Sequence, residues 1–137
     1  MAGRREAREQ ALQALYQLDM AGSDPDWGRL HGSDDVQAFT RELVEGVRTN
    51  RERIDALIAG SAEHWRLPRL SRVDLNLLRL ATFELLARPE IPVSVTINEA
   101  IEIARRFGSE DSAAFVNGVL DAIATVVRPK SGVGREE

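Results

Sequence analysis

The segment from Ser71 to about Leu86 constrains the fold more than any other part of the chain. On a helix drawn through it, Val73, Leu77, Leu80, Ala81 and Phe83 cover one side, while Leu75, Leu78 and Leu85 cover much of the other. A helix that is apolar on most faces must be buried by neighbours on several sides. The chain has no apolar run near the ~18 residues that a membrane span requires, so those neighbours must come from the chain itself. The pattern predicts a central post wrapped by other helices. Glu84 interrupts that post. Either it is a buried acid with a functional role, or its charge is tolerated because it accepts backbone N–H bonds from a neighbouring helix start. The second is expected, with the region 93–96 as donor.

The flanking segments supply the neighbours. Residues 4–21 predict a helix, with Ala7, Ala11, Leu12, Ala14, Leu15 and Leu18 at helical spacing. Gly22 to Ser33 form an acidic loop, after which Ser33, Asp34 or Asp35 can cap a helix bearing Val36, Phe39, Leu43, Val44 and Val47. A third helix is expected over 51–61 on Ile54, Leu57 and Ile58, and Ser71 can cap the fourth. Pro89 and Pro92 break the chain. Ile91, Val93, Val95 and Ile97 alternate like a strand, but Thr96-Ile97-Asn98-Glu99 matches a capping box and the helical spacing continues to Phe107. A helix is therefore expected from that box, stopped by Gly108. Ser109, Asp111 or Ser112 caps a last helix carrying Phe115, Val116, Val119, Leu120, Ile123 and Val127, ended by Arg128-Pro129. The expectation is one all-α domain over residues 1–129, of six or seven helices, with 130–137 a disordered tail.

Little in the sequence suggests chemistry. There is no Cys, which removes thiol nucleophiles, thiolate zinc sites and disulfides. His31 and His64 have no carboxylate at relay or metal-triad spacing, and neither a Gly-rich phosphate loop nor a nucleophile elbow is present. No enzyme, no cofactor and no metal are expected. The N-terminus, 1–10, is charged rather than apolar and does not resemble a signal peptide, so a cytoplasmic location is expected.

The formal net charge of -4 argues against bulk binding of a polyanion, so any nucleic acid must be held by a local patch. Of the 18 basic residues all but Lys130 are Arg, a bias that suits phosphate recognition and equally follows from a GC-rich genome. Arg4, Arg5 and Arg8 fall within five residues, with Glu6 their only acidic neighbour among residues 1–8. At ~100° per residue, Arg4 and Arg8 project within about 40° of each other, on the stripe that continues through Leu12 and Leu15. Arginines that extend an apolar stripe past the core should line the rim of a groove, where Arg8 is expected to hold a phosphate. A second set, Arg66, Arg69 and Arg72 around Trp65 and Pro68, offers either a further RNA contact or a solvated face beside a core Trp.

Four stretches carry a family resemblance. Residues 4–16, Arg4-Arg5-Glu6-Ala7-Arg8-Glu9-Gln10-Ala11-Leu12-Gln13-Ala14-Leu15-Tyr16, resemble the opening helix of the NusB family of bacterial transcription antitermination factors. Leu77 to Leu85 is similar to its central helix, Pro92 to Ala104 to the next, and Phe115 to Asp121 to the last. The resemblance implies two three-helix bundles packed across each other and a role in antitermination, chiefly on ribosomal RNA operons, without catalysis. It implies pairing with NusE, a small-subunit ribosomal protein, binding of single-stranded boxA RNA, and action on RNA polymerase. Carried over by position, Arg4, Arg5 and Arg8 match RNA-contacting arginines, and Asp111, Ser112 and Phe115 match the other side of the RNA surface. Tyr16 and Asp74 match positions that face NusE. Ala114 stands where many relatives have a basic residue, which makes that half of the surface less basic here. The exposed part of the first and central helices could also be covered by a second copy. The same helical domain resembles the N-terminal extension of some ribosomal-RNA cytosine methyltransferases, but the sequence lacks their Gly-rich cofactor loop. A protein-binding helical scaffold without RNA affinity is the remaining alternative.

Overall fold

The protein is described by a computed structural model over residues 3–22, 24–62 and 67–129. Among these residues there are six α-helices and no strand: α1 (Arg4–Ala21), α2 (Asp34–Thr49), α3 (Arg51–Ser61), α4 (Arg72–Ala87), α5 (Val93–Phe107) and α6 (Ser112–Val127). Single 3₁₀ turns occupy Trp27–Arg29 and Leu67–Arg69. The tail expected at 130–137, and His64, Trp65 and Arg66, lie outside the described residues.

The helix ends follow local chemistry. Ser33 Oγ accepts the Val36 N–H at 3.2 Å and Ser71 Oγ accepts the Asp74 N–H at 3.0 Å, so both expected serine caps are formed. Gly22 closes α1 at φ 68°, a left-handed conformation in which a side chain would be strained.

α5 departs from the sequence expectation. It begins at Val93, just after Pro92, a full turn before the proposed capping box. Thr96 lies inside the helix with its Oγ1 buried and unpaired, and Glu99 reaches across to Arg5 instead of back to Thr96. The strand-like alternation is overridden because Ile97, Ala100, Ile103 and Ala104 all reach the core, with Pro92 standing extended at the N-cap, where its missing N–H is not needed. Gly108 also acts differently from a left-handed stop. Its φ is -95°, and a Cβ would press on Ser112 Oγ and the Ala104 carbonyl, so close packing excludes a larger residue.

α4 is the central post. Every residue from Leu75 to Leu85 is buried, and α4 packs against all five other helices. α1, α2 and α3 gather on one side of it, while α4, α5 and α6 form the second three-helix group. α2 approaches α4 closely at Gly46, where a methyl group would overlap the Phe83 ring. Two further contacts tie the post down. Arg79 donates to Asp55 of α3 at 2.8 and 3.1 Å and to Asp19 of α1 at 3.2 Å. At the other end, Arg128 donates to the carbonyls of Glu84, Leu85, Arg88 and Ile91 at 2.6–3.2 Å, where the Glu84 and Arg88 carbonyls also accept the N–H groups of Arg88 and Ile91, so one guanidinium gathers the end of α4 and the turn after it.

Candidate nucleic-acid interface

α1 starts at Gly3 with no side-chain cap, and its first two turns carry the three arginines. The fold gives them three different environments. Arg8 is buried: Nε and Nη2 each donate at 2.8 Å to the two oxygens of Glu84, and the side chains are 4% and 2% exposed. Its Nη1 also lies 3.6 Å from Glu99. This corrects two sequence expectations together. Arg8 does not sit at a groove rim in this structure, and Glu84 is neutralised by a guanidinium from α1 rather than by the backbone of residues 93–96. The apolar stripe containing Arg8 runs straight into the core, so burial carried the arginine with it.

Arg5 is half exposed and forms a two-pronged pair with Glu99 of α5, at 2.7 and 2.8 Å. These hydrogen bonds, ahead of the coulombic attraction of Arg5 and Arg8, hold the Glu99 carboxyl below its ordinary range and raise Arg5. Arg4 has no carboxylate partner among the described residues; its guanidinium lies over the Phe39 ring, 5.5 Å from the centroid. Arg8 and Arg88 flank the same ring at 5.7 and 5.0 Å, and Arg88 is neutralised by Glu42 and Glu90. Arg4 and Arg5 are therefore the cations that this edge presents to solvent.

The second predicted cluster lies at the start of α6. Asp111 is exposed and occupies the N-cap position, but its side chain makes no capping bond. Ser112 braces the preceding turn instead of capping the helix: its Oγ accepts the Ser109 N–H at 2.9 Å and its side chain is buried, which closes the turn from within. Phe115 is partly buried against the core. α5 links the two clusters. Glu9 of α1 pairs with Arg106 in the last turn of α5 at 3.1 Å, immediately before the turn 108–111 that carries Asp111.

Tyr16 is 39% exposed and lines a groove of about 580 Å³ together with Leu12, Gln13, Phe107 and Val73, the residue before Asp74. Asp74 keeps one buried oxygen, Oδ1, without a hydrogen-bond partner. In the second basic set, Arg72 lies 3.6 Å from Asp19 while Arg69 is exposed. His31 is paired with Glu6 at 2.9 Å, and no group of three or more metal-binding side chains occurs among the described residues. None of the described helices is long and apolar enough to cross a membrane.

The NusB family model matches residues 5–125. The chain belongs to the NusB family. The transcription antitermination protein NusB of Geobacter sp. (strain M21) is 49% identical, over 95% of this chain and 99% of its own length. The protein of the same description from Myxococcus xanthus (strain DK1622) is 49% identical over 93% and 98%. Among solved structures, T. maritima NusB superposes with a TM-score of 0.86 at 42% identity, covering 93% of this chain and 94% of that one. A crystal structure of the antitermination factors NusB and NusE in complex with dsRNA matches with a TM-score of 0.81 at 27% identity, over 92% and 98%. NusB relatives are antitermination factors rather than enzymes, in agreement with the absence of a catalytic motif in the sequence.

Proposed function

We propose that this NusB-family chain is a transcription antitermination factor that works as a binding protein, pairing with NusE and holding boxA RNA of nascent transcripts so that RNA polymerase resists termination. The observation that carries the reading is family membership over nearly the whole chain, joined to a fold shared with a NusB–NusE–RNA complex. The RNA surface is assigned to Arg4 and Arg5 at the start of α1 and to Asp111, Ser112 and Phe115 around the start of α6. Arg4 and Arg5 offer forked donors suited to phosphate oxygens. Ser112 shapes the α6 turn from inside. Arg8 contributes through the frame, by fixing α1 on α4. Tyr16 and Asp74 are assigned to the partner face, on the positions that the family resemblance gives them. Nascent RNA and a ribosomal protein place this work in the cytoplasm.

With net charge -4 and few free cations, RNA affinity of the chain alone is expected to be modest and to rise when a basic partner extends the groove. Titration of a short single-stranded boxA RNA, with and without NusE and at two salt concentrations, tests this. A duplex of equal length serves as the comparison. Equal affinity with and without NusE would refute the cooperative reading, and absence of salt-dependent binding in both would refute RNA binding itself.

A further inference from the structure

We infer that Glu99 is an affinity-setting residue: its carboxylate occupies the Arg5 fork in the free protein, and an RNA phosphate must displace it to bind there. The inference rests on the proposed RNA-binding function and specifies how that surface is held in check.

The geometry makes the competition direct. A guanidinium recognises a carboxylate or a phosphate through two parallel N–H donors, and the two ligands ask for the same donor edge. In Arg5 that edge is Nε and Nη2, and both are bound to Glu99 at 2.7 and 2.8 Å. Arg5 remains 48% exposed, so the pair sits where an incoming strand meets it. Glu99 lies 3.6 Å from Arg8 as well, but Arg8 is already matched by Glu84, so Glu99 is not needed to neutralise that buried cation. Its negative charge therefore faces an arginine of the proposed RNA surface. The pair can open: exposed ion pairs are weak, and Glu99 is 23% exposed and can turn toward water. Glu99 is held on the middle of α5, so it stays within reach of Arg5 and the contact re-forms when RNA leaves.

The test uses the full chain and short single-stranded boxA RNA, with and without NusE, by fluorescence anisotropy at low and moderate salt. Glu99→Gln keeps the side-chain shape and removes the charge. It should tighten RNA binding about three- to tenfold at low salt, the range of one weakly screened charge contact, and less at higher salt. Glu102→Gln, one turn away and paired with Arg105, removes the same charge, which acts on Arg5 only at a distance, and leaves the Arg5 hydrogen bonds to Glu99 intact. Its gain should be clearly smaller. In an Arg5→Ala background the gain from Glu99→Gln should largely vanish, as a double-mutant cycle requires of directly coupled residues. Unchanged thermal melting of Glu99→Gln, within a few degrees, confirms that folding is intact. If the parent binds RNA and Glu99→Gln gains no more than Glu102→Gln, or gains equally without Arg5, the inference fails while the RNA function stands. If neither the parent nor Glu99→Gln binds RNA, with or without NusE, the function reading fails and the inference falls with it.

Discussion

Replacing Arg8 with Ala should damage the fold more than it damages any RNA contact. The substitution removes both hydrogen bonds to Glu84 and leaves that carboxylate 2% exposed with no cation in contact. Removing one partner of a buried ion pair costs about 3–5 kcal/mol, because the other charge is left uncompensated. The better helix propensity of Ala returns only about 0.2 kcal/mol. The stacking of Arg8 on Phe39 is lost as well. For a chain of this length 1 kcal/mol corresponds to roughly 3–4 °C, so the melting temperature should fall by roughly 10–20 °C. Thermal and urea unfolding followed by circular dichroism measure the loss, with RNA affinity recorded well below the midpoint. Glu84→Gln should also destabilise. The pair Arg8→Met with Glu84→Leu should recover most of the stability, since a buried ion pair replaced by apolar residues of similar size is often neutral. Were Arg8→Ala to unfold within about 1 kcal/mol of the parent while losing RNA affinity, the reasoning would be refuted and Arg8 would be a phosphate contact after all.

Other expectations follow from the same geometry. Arg4→Ala should leave melting nearly unchanged and flatten the salt dependence of RNA binding by roughly 0.7 log unit per decade, the single-strand value for one phosphate contact; an unchanged slope removes Arg4 from the interface. Asp111→Asn should tighten RNA binding at low salt with little loss of stability, because the Asp111 side chain forms no cap and only its charge is removed; no gain at low salt would count against an RNA strand at the start of α6. Arg128→Met should destabilise by roughly 2–4 kcal/mol in urea unfolding, because the Leu85 and Ile91 carbonyls lose the guanidinium donor and those of Glu84 and Arg88 keep only their backbone one, while RNA affinity below the transition stays the same. Glu99 has a carboxyl held below its ordinary value, mainly by the Arg5 hydrogen bonds. Its contribution is thus present above that value and lost as pH falls through the depressed one. Arg5→Ala should accordingly make the acid limb of the stability profile shallower, and an identical limb would deny the pair any energetic role.

Much of the architecture was legible because it depends on neighbours in sequence. The apolar faces of residues 72–86 required a central post, and Ser33 and Ser71 sat where a cap must sit before a periodic run. The start of α5 escapes a purely local reading: Thr96 and Glu99 satisfy a capping box on paper, but the Pro92 carbonyl already accepts the Thr96 N–H, which puts Thr96 inside the first turn. The fates of Arg4, Arg5 and Arg8 were of another kind. Their shared stripe was visible, and it contained a usable signal, since Arg8 and Glu84 are opposite charges within largely apolar helical stripes and so are natural partners. Yet the pairs Arg8–Glu84 and Arg5–Glu99 span 76 and 94 residues. Which carboxylate meets which guanidinium depends on how α1 lies across α4 and α5, at a precision of a few ångströms. Spacing along the sequence sets the face on which a charge projects, whereas only helix packing decides whether that face meets water, an aromatic ring or a buried acid. The sequence alone thus determined that three arginines begin the chain's first helix; the tertiary structure decided that one holds the core, one is held by Glu99 and one lies over the Phe39 ring.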